Sequence, residues 1–305
     1  MNAYREPENI LRETIESILN QTYRNFELLI SLDDPENQQL EKVIQEYASR
    51  DSRIRFFKNE VNLGQGPTKN RAFAQARGEY IAISDGDDVS LPDRFEKQLK
   101  FLEDHSLDLI GGVMEMIDEQ GNPIYSISSV PGSDRKVKKT LGYGLSLPHP
   151  TCFGRKEVFL NIGGYRPVPL SEDYDLILRA ALKGYRLGNI QEPVLKYRLT
   201  SGSVSRSNLY DQYLYMKILS SSYRKGKSLP LDEINDYVKK RSDKKKAARY
   251  TRANAIFTEM LRQKSEHEYL GFIQNGFRLI VASPQFLDKI RRFALLSLNS
   301  GKIEE

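Results

Sequence analysis

The chain has no tryptophan, one cysteine and three histidines in 305 residues. The lone Cys152 excludes an internal disulfide and fits a reducing compartment. One Cys and three His supply neither a metal-thiolate site nor a Ser-His-Asp arrangement. No apolar run approaches the ~18 residues that read as a membrane span. The N-terminus has no charged-then-apolar leader, so a secretory signal is not expected and a cytoplasmic location is. A large charge excess is missing too: 46 Lys+Arg stand against 41 Asp+Glu, a net +5. So mild a balance permits contact with anionic lipid or phosphorylated substrates. It argues against a nucleic-acid binder, because the basic run Lys239, Lys240, Arg241, Lys244, Lys245, Lys246 and Arg249 lacks interleaved stacking aromatics. With 39% hydrophobic residues there is material for a substantial core.

From Met1 to about Arg206, helical and strand patterns alternate. Ile10, Leu11, Ile15, Ile18 and Leu19 recur at helical spacing, and Phe26 to Leu32 is an apolar run stopped by Asp33-Asp34-Pro35. Leu40, Val43, Ile44 and Tyr47 predict a second helix, Ile54 to Phe57 a strand, and Lys69 to Ala76 a third helix. Glu79 to Ser84 predicts another strand. Strands separated by helices of this length imply a Rossmann-like, mostly parallel α/β sheet flanked by helices. Such sheets bind ligands at the carboxyl ends of their strands, where both acidic clusters fall: Asp33-Asp34 and Asp85-Gly86-Asp87-Asp88. Residues 207–305 read as wholly helical.

Three carboxylates within residues 85–88 repel one another and lose solvation unless a cation or a positive partner stands beside them. A hard divalent cation, Mg²⁺ or Mn²⁺, prefers such oxygen ligands. The bland alternative is an acidic N-cap for a helix after Leu91-Pro92-Asp93. Equivalent alternatives hold elsewhere. Asp33 and Asp34 would be turn caps, and Arg71 part of a solvated helix face. Glu172-Asp173 would be the acidic first turn of a helix from Tyr174 to Leu182, capped by Ser171. His149 is open between a ligand contact and a buried, hydrogen-bonded histidine. Cys152 reads as a small core residue.

Six segments in order resemble a family 2 glycosyltransferase: Ser17 to Tyr23 running into Phe26-Glu27-Leu28, Asn62-Leu63-Gly64 with Lys69-Asn70-Arg71, Ala76 to Ile81, Asp85 to Asp88, Gly163-Gly164-Tyr165 with Glu172-Asp173-Tyr174-Asp175, and Tyr197-Arg198. The resemblance covers residues 1 to about 206. It implies a GT-A fold, a nucleotide-sugar donor such as a UDP-sugar, and inversion at the anomeric carbon. Asp85 to Asp88 would be the family's DXD element, whose carboxylates hold a divalent cation on the donor diphosphate. Asp87 and Asp88 are the first choices for the metal, with Asp85 nearer the ribose. Asp33 and Asp34 would meet the base and ribose, and Arg71 the base or diphosphate. Asp173 would be the base that takes the acceptor's proton in a single displacement, with Glu172 shaping the acceptor site. The implied organisation is a catalytic domain over 1–206, with a nucleotide-sugar half (about 1–90) and an acceptor half (about 91–206). A helical region over 207–305 completes it. The acceptor would be a saccharide or a lipid-linked saccharide in bacterial surface-polysaccharide biosynthesis.

Two departures stand out. Many relatives carry a metal-ligating His soon after the Tyr-Arg pair, where this chain has Leu199-Thr200. Relatives also open on an apolar strand leading into the segment resembled by Met1 to Tyr4, whose exit loop contacts the nucleotide. Here that first strand is expected to be missing. A late start at Met1 would explain this; so would a weakened enzyme, that is, a pseudoenzyme binding nucleotide or saccharide. A nucleotidyltransferase is the rival activity, but no basic Gly-rich loop for a triphosphate is visible. For the helical region two readings stay open. Phe286, Ile290, Phe293, Ala294 and Leu298 with Lys289, Arg291 and Arg292 could lie on the inner membrane face as a peripheral contact. Alternatively they pack against the catalytic part with a solvated basic face.

Overall fold

A computed structural model describes residues 1–126, 130–200, 208–265 and 267–300. The expected boundary at 206/207 lies outside the described residues. In chain order the elements begin β1 (Asn2–Ala3), α1 (Glu8–Leu19), β2 (Leu28–Leu32), α2 (Gln38–Arg50), β3 (Ile54–Lys58), α3 (Gln65–Gln75) and β4 (Tyr80–Ala82). There follow β5 (Val89–Ser90), α4 (Arg94–Asp104), β6 (Leu109–Ile117), β7 (Pro123–Ser126), α5 (Asp134–Leu141), β8 (Phe153–Arg155), α6 (Lys156–Asn161), α7 (Glu172–Leu182) and β9 (Leu187–Arg198). The helical region comprises α8 (Leu209–Tyr223), α9 (Leu231–Lys239), α10 (Lys244–Ser265), α11 (Tyr269–Ala282) and α12 (Pro284–Ser300).

The amphipathic spacing of α1 and α2 has its expected consequence. Leu11, Ile15 and Ile18 of α1 and Leu40, Val43 and Ile44 of α2 are buried in one cluster with residues of β1–β3, and Ile10 is buried as well. Asn37 caps α2 by accepting a hydrogen bond from Leu40 N at 3.1 Å. The three strands pair in parallel in the order β1-β2-β3. The second sheet is mixed rather than mostly parallel. Its order is β4-β8-β6-β9-β5, with β7 on β6. Only β6 and β9 run parallel in it; β4, β5, β7 and the β6–β8 pair are antiparallel. An apolar run carries no direction, so this could not be read from spacing.

The first strand is not missing outright. Asn2 and Ala3 pair with Ser31 and Leu32, and Asn2 also bridges Asp85 in parallel. This two-residue strand is the seam between the sheets. Upstream of it the sheets part, and a cavity of about 690 Å³ opens between β2 and β4. Ile18, Phe26, Leu28, Leu29, Ile81 and Phe153 are among its lining residues.

Aromatic rings hold the helices of the C-terminal region to one another. Tyr250 lies 5.6 Å from Tyr210, 5.3 Å from Tyr213 and 5.1 Å from Phe286 between ring centroids. Phe286 is buried, and buried Arg292 donates to the carbonyls of Tyr143 and Met216. Arg292 thereby ties the last helix to the segment after α5 and Phe286 packs against α10, while Phe293 and Leu298 face solvent.

Candidate active site

The two acidic segments meet at β1. Asp33 N donates to Ala3 O at 2.9 Å, while Asn2 pairs with Asp85. Gly86 is required there: an added Cβ would stand 2.8 Å from Asn2 O and 3.0 Å from the Glu6 carboxylate. The acidic loop is not a helix cap, because β5 follows it directly. Neither Asp93 nor Ser171 makes a side-chain cap on the helix it precedes.

Each carboxylate of the loop has its own surroundings. Lys69, buried in α3, donates from Nζ to Asp85 Oδ1 at 2.7 Å. Burial pushes the Asp85 carboxyl up, but Lys69, aided by His149 and the N-terminal amine, more than offsets it and the group ends at about 2. Asp87 is pushed up to about 6 by burial and then by Asp85. Asp88 is raised well above the carboxylate range by burial, then by Asp87 and Asp85. Asp88 Oδ1 accepts from Arg198 N at 3.1 Å, while its Oδ2 is buried with no hydrogen-bond partner. Buried Arg198 donates to the carbonyls of Asp87, Asp118 and Glu119 and to Glu13 Oε2 at 2.6 Å, binding the loop to β6 and α1. Glu6 joins this field, its carboxyl raised to about 7 by burial and, further down, by Asp87 and Asp85.

On the β2 side, Asp33 is buried and its carboxylate is occupied. It accepts from Asn59 Nδ2 at 2.7 Å, Leu63 N at 2.9 Å and Gly64 N at 2.9 Å. It thereby anchors the turn that opens α3. Arg71 donates to Asn59 Oδ1 at 2.9 Å, reaching Asp33 at one remove, and is otherwise exposed. Asp34 pairs with Arg5 at 2.7 Å. Tyr4 is exposed beside it, with the Arg5 guanidinium 4.8 Å from its ring centroid.

Asn70, between Lys69 and Arg71, clamps a distant turn. Its amide donates to Tyr165 O at 2.8 Å and accepts from Tyr165 N at 2.7 Å. Gly164 has φ +64°, and a Cβ there would lie 2.2 Å from Asn70 Oδ1, so only glycine fits. From the same turn, Gly164 O accepts from Arg179 at 2.6 Å. Arg179 also pairs with buried Asp175 at 2.7 Å, and Arg166 closes on that carboxylate. This brace fixes the start of α7. There Asp173 Oδ1 accepts from Tyr174 N at 2.6 Å. Burial, helped by Glu172, pushes the Asp173 carboxyl up to about 6. His149 is buried with Nε2 at 2.6 Å from Tyr165 Oη; burial, then Lys69, holds it neutral, down at about 3. It takes the buried, hydrogen-bonded form of its two readings. Cys152 is buried in the core.

The elements so far apart in sequence share one field. Lys69 acts on both Asp85 and Asp173, and burial followed by Asp88, Asp85, Asp87 and Asp173 raises the Tyr197 phenol. Lys69 and Glu6 escaped the sequence reading. Lys69 stood inside a motif whose arginine drew the attention, and nothing local marks Glu6. Among the described residues no ready-made cluster of three His, Cys, Asp or Glu side chains could hold a metal. The unpartnered oxygen of Asp88, a carboxyl that like neighbouring Asp87 resists ionising, is still a fit for added positive charge.

The profile of "Glycosyl transferase family 2" matches residues 1–163. An uncharacterized glycosyltransferase of Methanocaldococcus jannaschii is 37% identical over 228 residues, 74% of this chain and 79% of that protein. The O-antigen biosynthesis glycosyltransferase WbnJ of Escherichia coli is 34% identical, covering 64% of this chain and 77% of its own. The crystal structure of S. aureus TarS 1-349 in complex with UDP-GlcNAc superposes with a TM-score of 0.59 at 16% identity, covering 100% of this chain and 92% of that one. At that identity the likeness speaks for the GT-A fold alone.

Proposed function

Since this chain belongs to glycosyl transferase family 2 and is a glycosyltransferase, we propose that it is inverting and metal-dependent, moving a sugar from a UDP-sugar to a saccharide or lipid-linked saccharide acceptor. The setting is surface-polysaccharide biosynthesis at the cytoplasmic face of the membrane, with peripheral contact through the helical region. The catalytic part is residues 1–206 and the helical region residues 207–305. The reading draws support from the UDP-GlcNAc held by TarS and from the O-antigen role in the name of the E. coli relative.

The observation that carries it is the pairing of two carboxylate sites in one field: the crowded loop Asp85 to Asp88, and Asp173 at the braced start of α7. An inverting transfer needs one group to accept the acceptor hydroxyl's proton and another to bind the departing diphosphate. Asp173, tuned to about 6, is a carboxylate at neutral pH and still basic enough to take a proton. Glu172 shapes the acceptor side. Asp87 and Asp88 would hold Mg²⁺ or Mn²⁺, which when bound stabilises the charge developing on the leaving diphosphate. Lys69 keeps Asp85 ionised and turned toward α3. Asp33 works through the Leu63-Gly64 turn, and Arg71, Asp34 and Tyr4 line the base and ribose side.

The test is a thermal-shift and turnover screen of UDP-sugars with and without Mn²⁺. Metal-dependent stabilisation by a UDP-sugar, with release of UDP, is expected. The rival reading is a nucleotide- or saccharide-binding protein without activity. Stabilisation without any UDP release across the panel would select that rival.

A further inference from the structure

We infer that α11 seats this protein on an anionic bilayer, lying in the headgroup region with one apolar face down. The helix has two unlike sides. One packs on α10: Leu279 is buried, a Cβ on Gly271 would meet Gln263 Nε2 at 2.5 Å, and one on Gly276 would meet Met260 Cε at 3.7 Å. The other side carries Tyr269, Leu270, Ile273, Phe277, Ile280 and Val281, all exposed, with Leu270 73%, Phe277 69% and Val281 81% open to solvent. At 3.6 residues per turn these six fall within a sector of about 120°. No polar residue interrupts the sector, and α11 contains neither Asp nor Glu; Arg278 is its one charge. Contiguous apolar surface of this kind marks an interaction site.

The occupant follows from charge. Residues 207–305 hold 19 Lys+Arg against 11 Asp+Glu, whereas residues 1–206 hold 27 against 30. The neighbouring helices show exposed cations: Lys244, Lys245, Lys246, Arg249 and Arg252 on α10 and Arg291 on α12. An anionic surface complements that excess, whereas a second copy would bring like charges together. Among the described residues no helix is long and apolar enough to cross a membrane, so the helix would lie in the interface rather than span it. The inference deepens the proposed membrane setting, but α11 carries it without any appeal to the reaction.

Vesicle flotation of the full chain tests it. Binding to phosphatidylcholine vesicles containing phosphatidylglycerol is expected, with markedly less to phosphatidylcholine alone. Ile273→Glu with Phe277→Glu should lower binding by about tenfold or more, with circular dichroism and Tm unchanged. The milder Leu270→Ser with Val281→Ser should give a smaller loss, which covers the case of a misfolded first variant. UDP release with a soluble acceptor should stay at wild-type level in both, so a failed reaction and a failed membrane contact read out separately. Equal flotation of wild type and variants would overturn the inference. So would equal binding to both vesicle types. So would an oligomer, dissolved by the Phe277 substitution, in a protein that ignores vesicles.

Discussion

The acidic loop and α11 break the usual division of side chains in opposite senses. One buries charge and the other exposes hydrocarbon. In the loop nearly every buried charge is answered within the chain: Asp85 by Lys69, Asp88 Oδ1 by Arg198 N, and the loop's carbonyls by the Arg198 side chain. What is left over is Asp88 Oδ2, together with an Asp87 carboxyl that burial and Asp85 push up to about 6. On α11 the remainder is a whole helix face. A buried charge left alone costs enough that folding recruits partners for it. An exposed apolar face only forgoes a gain, so a chain can leave it open for something outside.

The comparison can be broken most decisively at Asp173, which belongs to the charge-burying side. Asp173→Asn should lower sugar transfer by about 10²–10⁴-fold while UDP-sugar binding persists. Because burial raises this carboxyl above its unfolded value, the neutral side chain should also raise Tm at pH 7 and leave it unchanged near pH 3. Full activity in that variant would remove Asp173 as the base. Asp87→Ala should weaken Mn²⁺-dependent UDP binding by at least the ~10–100-fold that losing a mere outer-shell partner costs. Calorimetry showing equal binding would mean that the orphaned oxygen next to it answers no cation.

Asn70→Ala removes both hydrogen bonds to the Tyr165 backbone and should cost about 1–3 kcal/mol in a urea melt. An unchanged midpoint would show that the Arg166–Asp175–Arg179 brace suffices. The pH profile is the gentlest probe. A base tuned to about 6 is protonated below that value, so transfer should fall by about tenfold per unit under pH 6 and level off above it. The stability this group contributes has the opposite sense: it is present below the ordinary carboxylate value and is lost as pH rises through 6. A flat rate between pH 5 and 7 would argue against Asp173 as the titrating base.

Much of the fold was open to reading because amphipathic helices advertise themselves by period and buried strands by short apolar runs. Heptad-like spacing marked α1 and α2, and the apolar run marked β2. The motifs also announced the family, and with it the acidic loop and Asp173. Other features depend on contacts between residues far apart in sequence. Strand direction in the second sheet is one, since β4 meets β8 some 70 residues later. Lys69 is another: in sequence it is a charge on a helix beside Arg71, and only the fold turns it inward onto Asp85 while Arg71 faces Asn59. Phe286, in the first turn of α12, and the face of α11 were likewise indistinguishable by composition, yet one packs against Tyr250 and the other meets solvent.

By itself, then, the sequence determined which segments form helices and strands, the family, and the carboxylates available for chemistry, because period and composition are local properties. Tertiary structure alone decided which of those carboxylates are neutralised, which oxygen stays unpartnered and which apolar face stays bare. Desolvation and pairing depend on what the rest of the chain brings alongside.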